Sequence, residues 1–261
     1  MNLDLSGKRA VVCGSTQGIG KASALELANM GANVTLIARN EEKLKGVIKE
    51  LDTTRGQKHS FVVADFSFPD QLGDRIKEFT SANTVDILVN NTGGPPAGLA
   101  IDAKPESFVK AFSEHLLCNH VLVQAVVPGM KSKKFGRIIN IISTSVKIPL
   151  KGLGVSNSIR GAVANWSKTL ANELGSFGIT VNNVLPGATM TSRLTGVLEG
   201  KASQSGKSFE DVKKEMIDEI PAKRIAEPEE VAAAVGFLAS PAASYINGIS
   251  IPVDGGRTGS L

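Results

Sequence analysis

One stretch decides the fold of this chain: Ala10-Val11-Val12-Cys13-Gly14-Ser15-Thr16-Gln17-Gly18-Ile19-Gly20. A short apolar run ends in three glycines spaced G-x-x-x-G-x-G, and a helical pattern follows. Glycines permit a tight turn and a close approach of a ligand to the backbone, and a helix N-terminus attracts anions. The stretch therefore predicts a strand, a pyrophosphate-binding loop and a helix that begins near Gly18. The alternative is an ordinary glycine-rich turn between strand and helix.

Short apolar runs alternate with segments of helical periodicity along the rest of the chain. The predicted strands are 9–13, 33–38, 60–64, 85–89, 136–142, 179–184 and 249–253. The predicted helices are 21–30, 41–51, 69–81, roughly 106–131, about 154–175, and 229–238. Unbroken Val, Ile and Leu strands that alternate with helices are typical of a parallel sheet with both faces covered. The sequence therefore predicts an α/β fold with a doubly wound parallel sheet and helices on both faces.

The composition marks no boundary between domains. No Pro/Ser-rich spacer, low-complexity tract or internal repeat occurs, so we expect one domain over residues 1–261. A polar insertion spans about 189–228, and Ser208 with Asp211 three residues later resembles a helix N-cap. Long segments beside a cofactor edge are commonly mobile, so the insertion is expected to be a partly helical substrate lid.

Charge and cysteine content argue against several classes of function. The net charge is +4, but the lysines are scattered among acids and the only local basic run is Lys131-Ser132-Lys133-Lys134. We therefore expect no nucleic-acid or membrane partner. No signal-peptide pattern and no apolar stretch of roughly 20 residues occur, which predicts a cytoplasmic location. Cys13 and Cys118 lack metal-ligand spacing and are expected to be buried free thiols, with no metal bound.

Three further motifs accompany the glycine-rich loop. They are Asn90-Asn91-Thr92-Gly93 after the fourth predicted strand, Pro186-Gly187 with Thr191 after the sixth, and Tyr245-Ile246-Asn247-Gly248 before Asp254-Gly255-Gly256. Their order and spacing resemble the short-chain dehydrogenase/reductase family, which carries Asn-Asn-Ala-Gly after the fourth strand. The resemblance covers essentially the whole chain and implies a Rossmann-type fold that binds a nicotinamide cofactor.

The resemblance also implies which residues bind that cofactor. The pyrophosphate and the adjacent ribose should be lined by Gly14, Ser15, Gln17, Gly18, Ile19 and Gly20. Asp65 should bond the adenine amino group, and the adenosine side should be contacted by Asn91, Thr92 and Gly93. The nicotinamide amide should be held by Pro186, Gly187, Thr189 and Thr191.

The end of the second strand indicates which nicotinamide cofactor binds. A carboxylate there would accept hydrogen bonds from the ribose 2′-OH and repel a 2′-phosphate, whereas a guanidinium would pair with that phosphate. This chain has Ala38-Arg39-Asn40 and no acid. The sequence therefore favours NADP(H), with Arg39 and Asn40 at the phosphate. The alternative is that Arg39 is merely a surface residue.

The catalytic positions depart from the family pattern. The family has a serine after the fifth strand, a tyrosine about thirteen residues later and a lysine four further on. Ser143 keeps the serine position, whereas Ser156 and Arg160 occupy the tyrosine and lysine positions. The only tyrosine is Tyr245, in the wrong place. The position of the family's helical asparagine is held by His115, to within about one residue, with Asn119 one turn later.

The substituted residues have different chemistry from those they replace. A serine hydroxyl such as that of Ser156 is far more basic than a phenol and is not expected to ionise without a neighbouring base. Arg160 stays protonated, so it can stabilise an oxyanion or bind a carboxylate but cannot donate a proton. We expect Ser143, Ser156 and Arg160 to face a substrate carbonyl; the alternative is polar lining left after activity was lost. His115 is interpreted as a packing residue.

The resemblance to 3-oxoacyl carrier-protein reductases implies an NADP(H)-dependent oxidoreductase. Its substrate is expected to be a small carbonyl or alcohol, with an anionic group compatible with Arg160. The alternative is a catalytically silent NADP(H)-binding regulatory or structural subunit, which the joint loss of tyrosine and lysine favours. The resemblance further implies a homodimer or homotetramer through helices 106–131 and 154–175, whose apolar residues include Leu116, Leu117, Val121, Val163 and Trp166.

Overall fold

The computed structural model describes residues 1–260 and contains a seven-stranded parallel sheet. Its strands are β1 Arg9–Cys13, β2 Asn33–Ala38, β3 Ser60–Val63, β4 Ile87–Asn90, β5 Gly136–Ile141, β6 Ile179–Pro186 and β7 Ser250–Val253. The strand order is β3-β2-β1-β4-β5-β6-β7, and every neighbouring pair is parallel. The order reverses direction between β1 and β4, so the predicted doubly wound sheet is confirmed.

Nine α-helices of the described residues surround the sheet. They are α1 Gly18–Asn29, α2 Glu41–Ile48, α3 Pro69–Ala82, α4 Pro105–Phe112, α5 Cys118–Lys133, α6 Gly154–Leu174, α7 Ser192–Ser205, α8 Phe209–Asp218 and α9 Pro228–Ala239. Side chains of β1 alternate between two cores. Val12 packs in the core that includes residues of α1 and α9, and Val11 packs in the core that includes residues of α3 and α5. Burial on both faces explains why the strands are continuously apolar.

The predicted helix over 106–131 is helical throughout but is not α-helical in its middle. A π-helical turn, Ser113–Leu117, separates α4 from α5. A π turn accommodates an extra residue within a helix and so changes which side chains face inward. Here His115 is buried at 1% exposure, while Leu117 is 40% exposed. The turn therefore places a polar ring in the interior and an apolar side chain outside.

The segment 189–228 contains more regular structure than a polar insertion suggests. Helices α7 and α8 share a small core of Leu198, Val212 and Met216. The Ser208 hydroxyl accepts a hydrogen bond from the Asp211 backbone N–H at 3.1 Å, so the predicted N-cap is present. The ends of the segment lie side by side, because Met190 N–H donates to the Ala226 carbonyl at 2.8 Å. The segment is thus a helical pair whose two ends are hydrogen-bonded to each other.

The apolar residues expected between subunits divide into two groups. Val163 is only 1% exposed, and it forms a buried cluster with which Leu116 and Trp166 pack. Val163 is therefore a core residue, so its assignment to surplus surface was wrong. Leu117 remains at the surface of the π turn.

Candidate active site

A cavity of about 1010 Å³ lies along the carboxyl ends of β1, β2, β3 and β4. This is the position where open parallel sheets bind ligands, beside the reversal of strand order. Most of the predicted cofactor residues line it: Gly14, Gln17, Gly18, Ile19, Arg39, Asp65, Asn91, Thr92, Gly93 and Thr191. The fold thus brings residues from distant parts of the chain to one wall.

The glycine-rich loop fits a pyrophosphate. Gly14 and Gly18 have φ angles of 57° and 54°, in the left-handed region that favours glycine. A Cβ on Gly20 would lie 2.2 Å from the Gly14 carbonyl oxygen, so helix α1 and the loop pack without room for a side chain. No side chain caps the N-terminus of α1, which leaves its first N–H groups available to an anion.

Asn91 holds this loop in place. Its Nδ2 donates to the carbonyl oxygens of Cys13 and Gly14 at 3.2 and 3.3 Å. Its amide hydrogens are thus engaged by the backbone at the end of β1, while Asn91 also lines the cavity and its contact with the adenosine stays a prediction. Asn91 therefore acts on the ligand site by positioning the loop.

Six predicted cofactor residues do not line the cavity: Ser15, Gly20, Asn40, Pro186, Gly187 and Thr189. Ser15 is fully buried and its hydroxyl donates to the Ile37 carbonyl at 3.5 Å. Asn40 caps α2 by accepting from Lys43 N–H at 2.9 Å. The Thr189 hydroxyl donates to the Gly187 carbonyl at 3.3 Å. The side chains of Ser15, Asn40 and Thr189 thus form hydrogen bonds to the protein's own backbone. These bonds support the backbone around the cavity.

Arg39 ends the second strand at the open side of the cavity. It is exposed and lines the cavity, and no carboxylate of residues 1–260 pairs with it. Asp65 lies at the end of the neighbouring strand, where its Oδ1 accepts from Ser67 N–H at 2.9 Å. Arg39 therefore offers an unpaired guanidinium at the edge expected to hold the adenosine.

Ser143, Ser156 and Arg160 do not line the cavity, whereas Val155, the neighbour of Ser156, does. Ser143 follows β5 and its hydroxyl accepts from Ser145 N–H at 3.1 Å. Ser156 and Arg160 are one turn apart on the same face of α6 and are 6% and 8% exposed. Tyr245 is fully exposed, so it is excluded from this site.

Arg160 is a buried cation without a counter-ion. Its Nη1 donates to the Ile141 carbonyl at 3.2 Å, and none of the ion pairs among residues 1–260 includes it. Burial, and then the charge of Arg193, lower the pKa of Arg160 to about 10, so the side chain stays protonated at neutral pH. An unpaired buried charge is costly. A ligand that brought negative charge to Arg160 would offset this cost.

His115 faces the same region. Its Nδ1 and the Thr92 Oγ1 are 2.5 Å apart, while its buried Nε2 has no partner among the described residues. Burial lowers the pKa of His115 to about 3, with further contributions from Arg160 and Arg193. The imidazole is therefore neutral at physiological pH. It packs in the interior as predicted, but one nitrogen remains unsatisfied.

Sequence reasoning missed Arg193. This residue lies in the first turn of helix α7 and lines the cavity. It donates from Nη1 to the Gly94 carbonyl at 2.6 Å and from Nη2 to the Pro95 carbonyl at 3.0 Å. It thus joins the segment 189–228 to the loop after β4. The only feature of the sequence that could have indicated its role is a single positive charge two residues after Thr191.

Two classes of site find no support in residues 1–260. No group of three or more His, Cys, Asp or Glu side chains there is placed to hold a metal ion. None of the helices described is both long enough and apolar enough to cross a bilayer. The titratable side chains that line the cavity are Arg39, Asp65, Asp102, Lys104, Lys110, Glu114 and Arg193.

Comparisons with known proteins identify the family. A family model described as enoyl-(acyl carrier protein) reductase matches residues 14–258. The chain is 34% identical over 253 residues to the 3-oxoacyl-[acyl-carrier-protein] reductase FabG of Staphylococcus epidermidis, covering 95% of this chain and 98% of that protein. The chain belongs to the short-chain dehydrogenase/reductase family. The resemblance inferred from its motifs is therefore confirmed.

This short-chain dehydrogenase/reductase is also similar to reductases of other substrates. It is 31% identical to the NADPH-dependent reductase BacG of Bacillus subtilis, covering 98% of this chain and all of that one. The structure of L-sorbose reductase from Gluconobacter frateurii, complexed with NADPH and L-sorbose, superposes with a TM-score of 0.92 at 31% identity and covers 100% of both chains. The family and the Rossmann-type fold are thus shared across different substrates.

Proposed function

We propose that this short-chain dehydrogenase/reductase reduces a small carbonyl compound to an alcohol with NADPH, or catalyses the reverse reaction with NADP+, through an altered active site. The single observation that carries the proposal is the buried, protonated Arg160 without a counter-ion, one helical turn from Ser156. A permanent positive charge there stabilises the negative charge that develops on a carbonyl oxygen during reduction. The similarity to FabG supports a 3-oxoacyl-like substrate.

The cofactor assignment is NADP(H). The left-handed glycines and the uncapped N-terminus of α1 suit the pyrophosphate, and the unpaired Arg39 suits a 2′-phosphate. The NADPH-bound sorbose reductase and the NADPH-dependent BacG support the same choice. When bound, NADPH supplies the hydride for carbonyl reduction.

The proton must come from a group other than tyrosine. We assign Ser143 to a hydrogen bond with the reacting oxygen and Arg160 to its developing charge. Ser156 has no hydrogen-bond partner for its hydroxyl among residues 1–260 and is assigned to pass a proton from water. Such a relay lacks a tuned acid, and general acid catalysis contributes roughly 10²–10⁴-fold, so turnover should be slow.

The test is turnover by purified protein with a panel of ketones, aldehydes and 3-oxoacyl thioesters, followed as NADPH oxidation. On any substrate found active, Arg160→Ala, Ser143→Ala and Ser156→Ala should each lower kcat while NADPH binding, followed by fluorescence, persists. Ser158→Ala, an exposed serine on the same helix, is the matched control and should leave kcat unchanged. Three variants as active as the parent would refute the assignment. NADPH binding with no turnover across the panel would favour the silent subunit instead.

The segment 189–228 is proposed as the substrate lid. It carries both Thr191 and Arg193 to the cavity wall, and its two helices have a separate small core. Lid closure excludes water and completes catalytic sites in many enzymes. A homodimer or homotetramer and a cytoplasmic location remain parts of the proposal, and the two buried free cysteines suit a reducing compartment.

A further inference from the structure

Three polar groups beside the cavity share one property. Arg160, Arg193 and His115 come from three separate helical elements, and no carboxylate of residues 1–260 pairs with any of them. Among residues 1–260, their side chains form hydrogen bonds only to backbone carbonyls and to the Thr92 hydroxyl. Two cations and an imidazole with an unsatisfied nitrogen therefore lie near one another without an ion-pair partner. The carboxylates that line the cavity, Asp65, Asp102 and Glu114, pair with none of them.

Arg193 is held so that part of its guanidinium stays available. A guanidinium has five N–H donors, and Nη1 and Nη2 each use one on the Gly94 and Pro95 carbonyls. The remaining N–H donors of Arg193 have no acceptor among residues 1–260. A Cβ on Gly94 would lie 2.6 Å from Nη2 of Arg193, so the absence of a side chain at Gly94 lets the guanidinium approach this close.

We infer that Arg193, delivered by the helix α7, recognises a carboxylate of the substrate together with Arg160. The substrate class is a carbonyl compound that bears a carboxylate within a few carbons of the reacting carbonyl, such as a 2-oxo or 3-oxo acid. This inference rests on the proposed function, because it places the carboxylate next to the reacting oxygen. A planar guanidinium matches a carboxylate with two parallel hydrogen bonds, which makes arginine the suited residue.

The burial of Arg160 supports this substrate class. A buried cation that lacks a partner in the protein is stabilised when a ligand brings the opposite charge. Arg193 is close enough for its charge to lower the pKa values of both Arg160 and His115. A bound carboxylate would relieve this repulsion, whereas a neutral substrate would leave it.

The experiment compares each acid with its neutral methyl ester. The probes are benzoylformate, acetoacetate and levulinate, whose carboxylates stand at increasing distances from the carbonyl, each against its ester. In at least one pair the wild type should prefer the acid by tenfold or more in kcat/KM. Arg193→Ala should reduce that preference to within threefold, mainly by raising KM for the acid, so the ratio of acid to ester is the readout. Lys201→Ala, an exposed cation on the same helix, should keep the preference.

A binding measurement separates this inference from the proposed reaction. Calorimetry of oxamate, an unreactive 2-oxo-acid analogue, should show binding to NADP+-loaded wild type that is at least tenfold weaker in Arg193→Ala. NADPH affinity should stay within twofold in that variant. If no carbonyl is turned over, the proposed function fails, and Arg193-dependent oxamate binding decides the inference alone.

Three results would overturn the inference. One is equal kcat/KM for acid and ester in every pair that is turned over. Another is oxamate binding that is absent or unaffected by Arg193→Ala. The last is at least a tenfold loss of NADPH affinity in Arg193→Ala with the acid preference intact, which would assign the guanidinium to the cofactor's phosphates.

Discussion

The Nδ1 of His115 lies 2.5 Å from the Oγ1 of Thr92, and this hydrogen bond joins the π turn before α5 to the loop after β4. The loop continues into Gly94 and Pro95, whose carbonyls accept from Arg193. A buried histidine therefore supports the same loop that positions the cation of α7. Burial, and then the nearby charges of Arg160 and Arg193, lower the pKa of His115 and keep it neutral there.

The first prediction concerns acid stability. The pKa of His115 falls from 6.5 to about 3 on folding, so between these pH values the unfolded chain binds a proton that the native chain does not. Stability attributable to this residue is therefore intact above pH 6.5 and decreases as the pH falls. Between pH 7.5 and 4.5, wild type should lose about 3 kcal/mol more unfolding free energy than His115→Gln. Urea denaturation at both pH values measures this difference.

The control for that experiment is His120→Gln. His120 is only partly buried and packs edge-on against Trp166. This variant should keep the wild-type loss of stability in acid. Equal acid sensitivity of His115→Gln and wild type would show that His115 titrates normally.

The second prediction concerns coenzyme choice. Because Arg39 presents an unpaired guanidinium at the cavity edge, NADPH should bind at least tenfold more tightly than NADH, a difference of about 1.4 kcal/mol. Arg39→Ala should weaken NADPH binding and leave NADH binding unchanged. Fluorescence titration of both cofactors is the measurement. Lys43→Ala, an exposed lysine of α2, is the control, and equal affinities of wild type for the two cofactors would contradict the assignment.

The third prediction contrasts two helical glycines. A Cβ on Gly20 would meet the Gly14 carbonyl oxygen at 2.2 Å, a backbone atom that cannot move aside locally. Gly20→Ala should therefore destabilise the protein by about 3 kcal/mol or more and abolish NADPH binding. Gly46→Ala has no atom within 4 Å and should stabilise α2 by about 0.5–1 kcal/mol. Urea unfolding of both variants distinguishes steric exclusion from a general need for glycine.

The fourth prediction concerns the missing tyrosine. Ser156→Tyr should not raise kcat to ordinary reductase rates, because Arg160 stands where the family has its lysine. The larger ring must also enter a position that is 6% exposed, and overpacking of this kind costs about 1–3 kcal/mol. Steady-state kinetics and a urea midpoint measure both effects. A variant as fast as an ordinary reductase would show that the proton donor alone limits the reaction.

The fifth prediction concerns assembly. Val109 and Leu117 are 69% and 40% exposed on the surface formed by α4 and the π turn. Burial of such apolar area between symmetric copies is a common source of oligomer stability. Light scattering should report a dimer or tetramer at micromolar concentration. A stable monomer would exclude the proposed assembly.

The sequence by itself determined the architecture and the place of the ligand cavity. Apolar strands alternate with amphipathic segments, and both periodicities are local properties of the chain. The role of Gly14, Gly18 and Gly20 can likewise be predicted from the sequence, because only glycine tolerates the dihedral angles and the close approach found there. These features can be predicted without knowing which distant residues are in contact.

The tertiary structure alone decided how the polar groups are paired. Arg193 reaches the Gly94 carbonyl across 99 positions of sequence, and Asn91 turns its amide to the end of β1 across 77. The π turn that buries His115 has no signature in the periodicity of its helix. Whether a charge such as Arg160 has a counter-ion depends on every side chain around it. Those neighbours come from separate helices and loops, so only the folded chain shows that none of them is an acid.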